Sequence, residues 1–140
     1  MNQFILASHS DLAHGMKKAI KMLTGIDEGI ISFGLQDGEN VNEILESAKE
    51  IIANASEGDV FTIVTDIPGG SVNNALMELI NEENVYLLSG MNIPLMLNLV
   101  LKPEINPAEI QDCVEIAQKT ITYFDKSILE EENEEEDFFD

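Results

Sequence analysis

The sequence predicts an α/β domain with an open, mainly parallel sheet and helices on both faces. Three observations lead there. Short apolar, β-branched runs alternate with amphipathic helical periods four times along the 140 residues. Turn and capping signals (Gly25, Asn40, Gly69-Gly70, Asn106-Pro107) punctuate that alternation. The runs are nearly continuously apolar, as strands buried on both faces must be, and such strands joined by helices wind in parallel with right-handed crossovers.

Phe4-Ile5-Leu6-Ala7-Ser8 is the first strand. A helix follows from about Leu12 to Thr24, with Leu12, Met16, Ile20 and Leu23 as its stripe and Gly25 as its stop. Ile30 to Phe33 is the second strand, and a helix after Asn40 turns Val41, Ile44, Leu45, Ala48, Ile51 and Ile52 inward. Val60 to Thr65 is the third strand; its helix starts near Ser71 and carries Ala75, Leu76, Leu79 and Ile80. Val85 to Ser89 is the fourth, and Gly90-Met91-Asn92 leads into an apolar helix opened by Pro94. Asn106 caps a last helix with Pro107 in its first position and Ile110, Val114, Ala117 and Ile121 in period. Ile121 to Phe124 is β-branched and aromatic, which suggests a short final strand. From residue 129 the chain reads as an acidic, unstructured tail, giving a domain over 1–128 and a tail over 129–140.

Charge excludes several classes of partner. Acids number 27 against 7 bases, for a net −20, and Glu130 to Asp140 holds eight acids and no base. Nucleic acid and anionic membrane surfaces need a cationic footprint that this chain lacks. All seven bases are lysines, so no arginine finger or bidentate arginine clamp is available. Any phosphate held here is gripped by backbone amides, hydroxyls and helix ends. Cys113 is the only cysteine, which excludes an internal disulfide and fits a reduced, cytoplasmic setting. The start of the chain lacks the pattern of a signal peptide, and the longest apolar stretch, Ile93 to Leu101, is too short to span a bilayer.

The chemistry-bearing residues fall at strand ends. His9 follows the first strand; Asp66 follows the third and leads into Ile67-Pro68-Gly69-Gly70-Ser71. In the flavodoxin-like strand order 2-1-3-4, strands one and three are neighbours and the switch point lies between them. That order brings His9 and Asp66 together. A carboxylate accepting from one ring nitrogen fixes the tautomer and leaves the other nitrogen free as a nucleophile, on a ring whose ordinary pKa of about 6.5 keeps it reactive near neutrality. Gly69, Gly70 and Ser71 offer amide N–H groups and a hydroxyl for phosphoryl oxygens. Each feature has an ordinary structural reading by itself, as turn or cap; their convergence at one switch point favours a site. His14 reads as a helix-face residue, and its five-residue spacing from His9 does not suit paired metal ligation. Met91, Leu95, Met96 and Leu97 read as core or subunit interface, and Cys113 as a buried helix residue. The sequence contains no nucleotide-binding G-x-x-x-x-G-K-[ST] or G-x-G-x-x-G motif and no G-x-S-x-G elbow. A relay in which the histidine itself carries phosphate, without metal or other cofactor, fits best.

Phe4-Ile5-Leu6-Ala7-Ser8-His9, the run from Asp66 to Ala75 and Ser89-Gly90-Met91-Asn92-Ile93-Pro94-Leu95 resemble the mannose-family IIA component of the bacterial phosphoenolpyruvate-dependent sugar phosphotransferase system (PTS). The resemblance covers roughly residues 1–125. It implies that His9 accepts phosphate from the phosphocarrier protein HPr and passes it to a IIB partner, that Asp66 orients the imidazole, and that Gly69, Gly70 and Ser71 line the phosphoryl site. It also implies a homodimer in which a C-terminal strand is exchanged, a role open to Ile121–Phe124. Val72 stands where family members often have proline. Two other readings remain at this point: the phosphotransfer subunit of a dihydroxyacetone kinase, and a non-catalytic adaptor whose binding depends on phosphorylation.

Overall fold

β1 (Asn2–His9) lies between β2 (Ile30–Leu35) and β3 (Val60–Thr65), and β4 (Val85–Ser89) pairs with the far side of β3. All three pairings are parallel, in the order β2-β1-β3-β4. The connections are α1 (Leu12–Thr24), α2 (Val41–Ala53) and α3 (Ser71–Leu76), the last continued by a 3-10 turn over Met77–Asn81; α4 (Ile93–Val100), α5 (Pro107–Gln118) and α6 (Lys126–Phe139) follow β4. The computed structural model describes residues 1–139, and side chains through Glu132.

Strand alternation divides the sheet between two cores. Phe4 and Leu6 of β1 and Val64 of β3 pack with Ala13, Met16 and Ile20 of α1, Met96 and Leu99 of α4 and Cys113 of α5. Ile5, Ala7, Phe61 and Ile63 face the opposite way, onto Ile44, Leu45 and Ala48 of α2 and Val72 and Leu76 of α3. The near-continuous apolar run at Phe4–Ala7 is thus accounted for: every one of those side chains is buried, two on each face. Of the four residues read as core or subunit interface, Met91, Leu95 and Met96 are core and Leu97 is half-buried, and Cys113 is fully buried.

Helix caps follow the sequence closely at three starts. Asn40 accepts from Asn42 N, Asn92 from Leu95 N and Asn106 from Glu109 N. At α1 the position before the helix, Asp11, makes no side-chain cap; the buried Ser8 hydroxyl of β1 accepts from Ala13 N at 2.8 Å instead. The helix start is therefore fastened directly to the strand that carries His9.

Four expectations need correction. The buried stripe of α1 is Ala13, Met16 and Ile20; Leu12 and Leu23 are 51% and 58% exposed, because the stripe runs one residue round from where the larger side chains suggested. α3 gives way after Leu76 to the 3-10 turn, which leaves Leu79 buried but Ile80 half-exposed. Ile121–Phe124 is irregular rather than a strand, since it finds no sheet partner within the chain; Ile121, Tyr123 and Phe124 are 84%, 85% and 73% exposed. The acidic segment expected to be unstructured is helical in α6. Glutamate is a strong helix former, and Asp125 caps the start by accepting from Ser127 N at 2.9 Å. No described α6 side chain joins either core.

One close approach shapes the turn after His9. Ser10 adopts φ +51°, in the left-handed region that side chains other than glycine enter rarely, and its N–H donates to Leu35 O at 2.8 Å. A Cβ at Gly34 would overlap the Ser10 carbonyl and approach His14 Nε2 to 3.1 Å. The turn can lie against the end of β2 only because residue 34 has no side chain. Gly34→Ala is expected to cost about 1–3 kcal/mol in urea unfolding, the usual range for overpacking, and to shift the amide resonances of His9 and Ser10. A variant as stable as the parent with unshifted resonances would contradict this.

Candidate functional site

The parallel register pairs Ala7 with Thr65, so β1 and β3 end side by side and hand His9 and Asp66 to the same edge of the sheet. Asp66 Oδ2 accepts twice from His9: from the main-chain N–H at 2.9 Å and from ring Nδ1 at 2.7 Å. Its other oxygen accepts from Ile67 N at 3.0 Å. Partial burial pushes the Asp66 carboxyl upward, but the His9 amide and imidazole and the Ile67 amide outweigh it and hold the group below its ordinary 3.8. The Asp66 side chain is only 10% exposed whereas that of His9 is 49% exposed, so the carboxylate is sheltered and the ring is open to a partner.

With Nδ1 facing a carboxylate, that nitrogen carries the proton and donates, and Nε2 keeps its lone pair. Nε2 lies 3.2 Å from Ser71 Oγ, whose hydroxyl can donate to it. Ser71 is the first residue of α3, after the turn in which Gly70 N donates to Ile67 O at 3.2 Å. Two glycines make this turn possible. Gly69 has φ +78°, and a Cβ on Gly70 would press to 2.8 Å on Ile67 Cγ2 and reach His9 Cε1 at 3.5 Å. Asn74 Nδ2 donates back to the Gly69 carbonyl at 3.1 Å and stiffens the loop.

All five residues singled out from the sequence therefore meet: His9 and Asp66 are bonded, Ser71 faces the second ring nitrogen, Gly70 lies against the ring, and Gly69 shapes the turn. Val72 is fully buried in the sheet-facing side of α3. His14 is not part of this group; its Nδ1 pairs with Ser32 Oγ at 2.7 Å. Among the described residues, no group of three His, Cys, Asp or Glu side chains could hold a metal ion. A recess of about 330 Å³ borders His9 on the β2 side, lined also by Ser10, Gln36, Asp37 and Glu39.

Some residues that fix the site escaped the sequence reading. Thr65, immediately before Asp66, is fully buried and donates to Asn73 Oδ1 at 2.7 Å; Ser89 Oγ lies 2.8 Å from the same Thr65 hydroxyl. The Thr65 carbonyl accepts from both Gly90 N and Met91 N at 3.1 Å. A polar residue between Val72 and Leu76 on the inward side of a helix was the available signal. Ser8 likewise shows in the sequence only as the end of a strand.

Residues 3–118 match the family model described as the PTS system fructose IIA component, EIIA-man. The chain belongs to this family, the mannose-family IIA components of the PTS. It is 24% identical over 101 residues to the PTS system fructose-specific EIIA component of Bacillus subtilis, covering 71% of this chain and 69% of that one. It is 23% identical over 117 residues to the PTS system mannose-specific EIIAB component of Escherichia coli, covering 83% of this chain but only 36% of that protein. Among solved structures it resembles the PTS IIA protein associated with the fucose utilization operon of Streptococcus pneumoniae, at TM-score 0.75 and 27% identity, over 87% of this chain and 92% of that chain. Among the described residues of this IIA component no helix is long and apolar enough to cross a membrane.

The lowered Asp66 pKa makes a pH prediction. A carboxylate stabilised in the folded state contributes stability above its unfolded pKa and loses that contribution as pH falls through the folded value. Asp66→Asn is expected to be less stable than the parent near neutrality by about 1.5–3 kcal/mol, the range for hydrogen bonds to a charged group. The gap should close below pH 3.8, the ordinary value from which Asp66 is lowered. Denaturant unfolding at pH 7, 5, 4 and 3 measures it, and a gap independent of pH would refute the assignment.

Proposed function

We propose that this IIA component is a phosphohistidine carrier, in which His9 Nε2 accepts a phosphoryl group from HPr and passes it to a IIB component. The observation that carries the reading is the two-sided hold on the His9 ring, with Asp66 at Nδ1 and Ser71 at Nε2. Membership of the IIA family supports a role in PTS phosphotransfer.

In the forward step the Nε2 lone pair attacks phosphorus in line as the N–P bond to the donor histidine breaks, and the bonding pair returns to the donor. His9 becomes cationic in character, and Asp66, already bonded to Nδ1, offsets that charge. The Ser71 hydroxyl and the unpaired amides at the start of α3 donate to phosphoryl oxygens, with Gly69 and Gly70 letting the backbone approach. The same geometry run in reverse delivers the group to the IIB partner. Positioning and neutral donors suffice for such a transfer, which needs little covalent work from the protein beyond the nucleophile.

The phosphotransfer unit is residues 1–128, and the acidic segment 129–140 is an appendage to it. The setting is the cytoplasm, where PTS phosphocarriers meet their partners. The exposed Ile121, Tyr123 and Phe124 suit exchange of a strand with a second copy, giving a homodimer. The similar proteins are named for fructose, mannose and fucose utilization, and sugar choice lies with the IIB and membrane components of such systems.

Incubation with phosphoenolpyruvate, enzyme I and HPr is expected to place acid-labile phosphate on the parent and on His14→Ala, and none on His9→Ala. Labelling of His9→Ala at the parental level would sink the assignment. Ser71→Ala should still be labelled but about tenfold more slowly, the effect of one lost hydrogen bond in the transition state. For the dimer, the double substitution Tyr123→Ser and Phe124→Ser should shift sedimentation from dimer to monomer. A parent already monomeric at micromolar concentration would rule the exchange out.

A further inference from the structure

Only four buried polar side chains are found among the described residues: Ser8, Thr62, Thr65 and Asn73. Ser8 is occupied in starting α1, and Thr62 Oγ1 has no partner. The other two bond to each other at 2.7 Å. Their places in the chain are telling. Thr65 is the last residue of β3 and adjoins Asp66; Asn73 is the third residue of α3, two beyond Ser71. One buried bond thus braces the two segments that hold opposite sides of the His9 ring.

We propose that Asn73 and Thr65 are positioning residues that set the Ser71 hydroxyl at His9 Nε2, an inference that rests on the phosphocarrier reading of that site. The loop between the two segments cannot do this unaided. Ile67, Pro68 and Gly69 are exposed, with Ile67 at 54%, and of the loop's bonds Gly70 N to Ile67 O closes it upon itself while Asn74 Nδ2 of α3 to Gly69 O ties it to the helix; neither ties it to the sheet. Burial of Val72 presses α3 onto the sheet, but apolar contact is non-directional and leaves the helix free to slide and turn by fractions of an ångström. A buried hydrogen bond is directional, and at this depth it fixes the register of the first turn of α3 against the end of β3. Asp66 is held separately, by the His9 and Ile67 amides. Loss of the brace should therefore disturb the Ser71 side of the ring and spare the Asp66 side.

The brace can be removed from either end. In Asn73→Ala the Thr65 hydroxyl keeps a partner in Ser89 Oγ at 2.8 Å, so no buried donor is stranded. Thr65→Val keeps the shape but takes the donor from the buried Asn73 Oδ1, removing the brace from the other end, and Thr65→Ser restores the hydroxyl. The first measurement is ¹⁵N NMR of the His9 ring in the unphosphorylated full chain. Asn73→Ala and Thr65→Val are expected to shift Nε2 and leave Nδ1 in place, with Thr65→Ser close to the parent. The second is transfer from phospho-HPr, in which both variants should lose about tenfold in kcat with KM nearly unchanged, and the double variant should be no worse than either single one. Folded variants with parental Nε2 shifts and parental kcat would overturn the proposal. So would a joint displacement of both nitrogens that Thr65→Ser fails to rescue, since that marks a general packing role. If the parent itself accepts no phosphate, the phosphocarrier reading fails, while the Nε2 shift still decides whether the brace positions Ser71.

Discussion

The structure around the site depends on one carboxylate oxygen. Asp66 Oδ2 accepts from both the main-chain and the ring nitrogen of His9, so it fixes where the residue begins and which way its ring points. That pair of hydrogen bonds is available only if the ends of β1 and β3 are adjacent, and they are adjacent because the connection from β2 through α2 returns the chain to the other side of β1. Asp66 follows His9 by 57 positions, and the chain between them contains α1, β2 and α2, whose shared task is to bring the two strand ends into line. Buried strands at Phe4–Ala7 and Phe61–Thr65 then hold that line from both faces.

Most of this geometry was legible in the sequence for a physical reason. Strands buried on both sides leave continuous apolar runs, asparagine caps leave Asn-x-Pro or Asn-Pro signatures, and a parallel order of 2-1-3-4 follows from strand–helix alternation. Once the order is known, His9, Asp66 and the Gly69-Gly70-Ser71 turn must converge. What escaped were choices made by local competition. Leu12 and Leu23 are larger and more apolar than Ala13, yet Ala13 is fully buried in the core while both leucines are exposed. Ser8 rather than Asp11 serves the start of α1, since only Ser8 is already buried beneath it. Thr65 and Asn73 sit among apolar neighbours, and nothing in their spacing signals that they bond to each other across eight residues.

The C-terminal part was the least legible because its structure is not decided by burial. Ile121–Phe124 has the composition of a strand, but a strand is completed by a neighbour, and within one chain the segment has none. Helix α6 shows the converse. Its glutamates favour a helix locally although no described side chain in it reaches a core, so propensity alone sets the outcome where packing is silent.

The absence of arginine bears on how the proposed carrier lets go of its phosphate. A guanidinium clamp holds phosphate bidentately with a full positive charge. The group facing His9 Nε2 is the Ser71 hydroxyl, a neutral donor of the kind that contributes about 0.5–1.5 kcal/mol net. Such a site can stabilise phosphoryl oxygens during transfer without trapping the product. The two sides of the ring then divide the work unequally. Asp66, on the far side of the ring from Nε2, can keep its bond to Nδ1 through the proposed cycle without moving. Ser71 must move: once the Nε2 lone pair is engaged in the N–P bond, its hydroxyl can only rotate toward a phosphoryl oxygen. An open side chain on the first residue of a braced helix, next to a ring that is 49% exposed, can make that rotation without disturbing the fold beneath it.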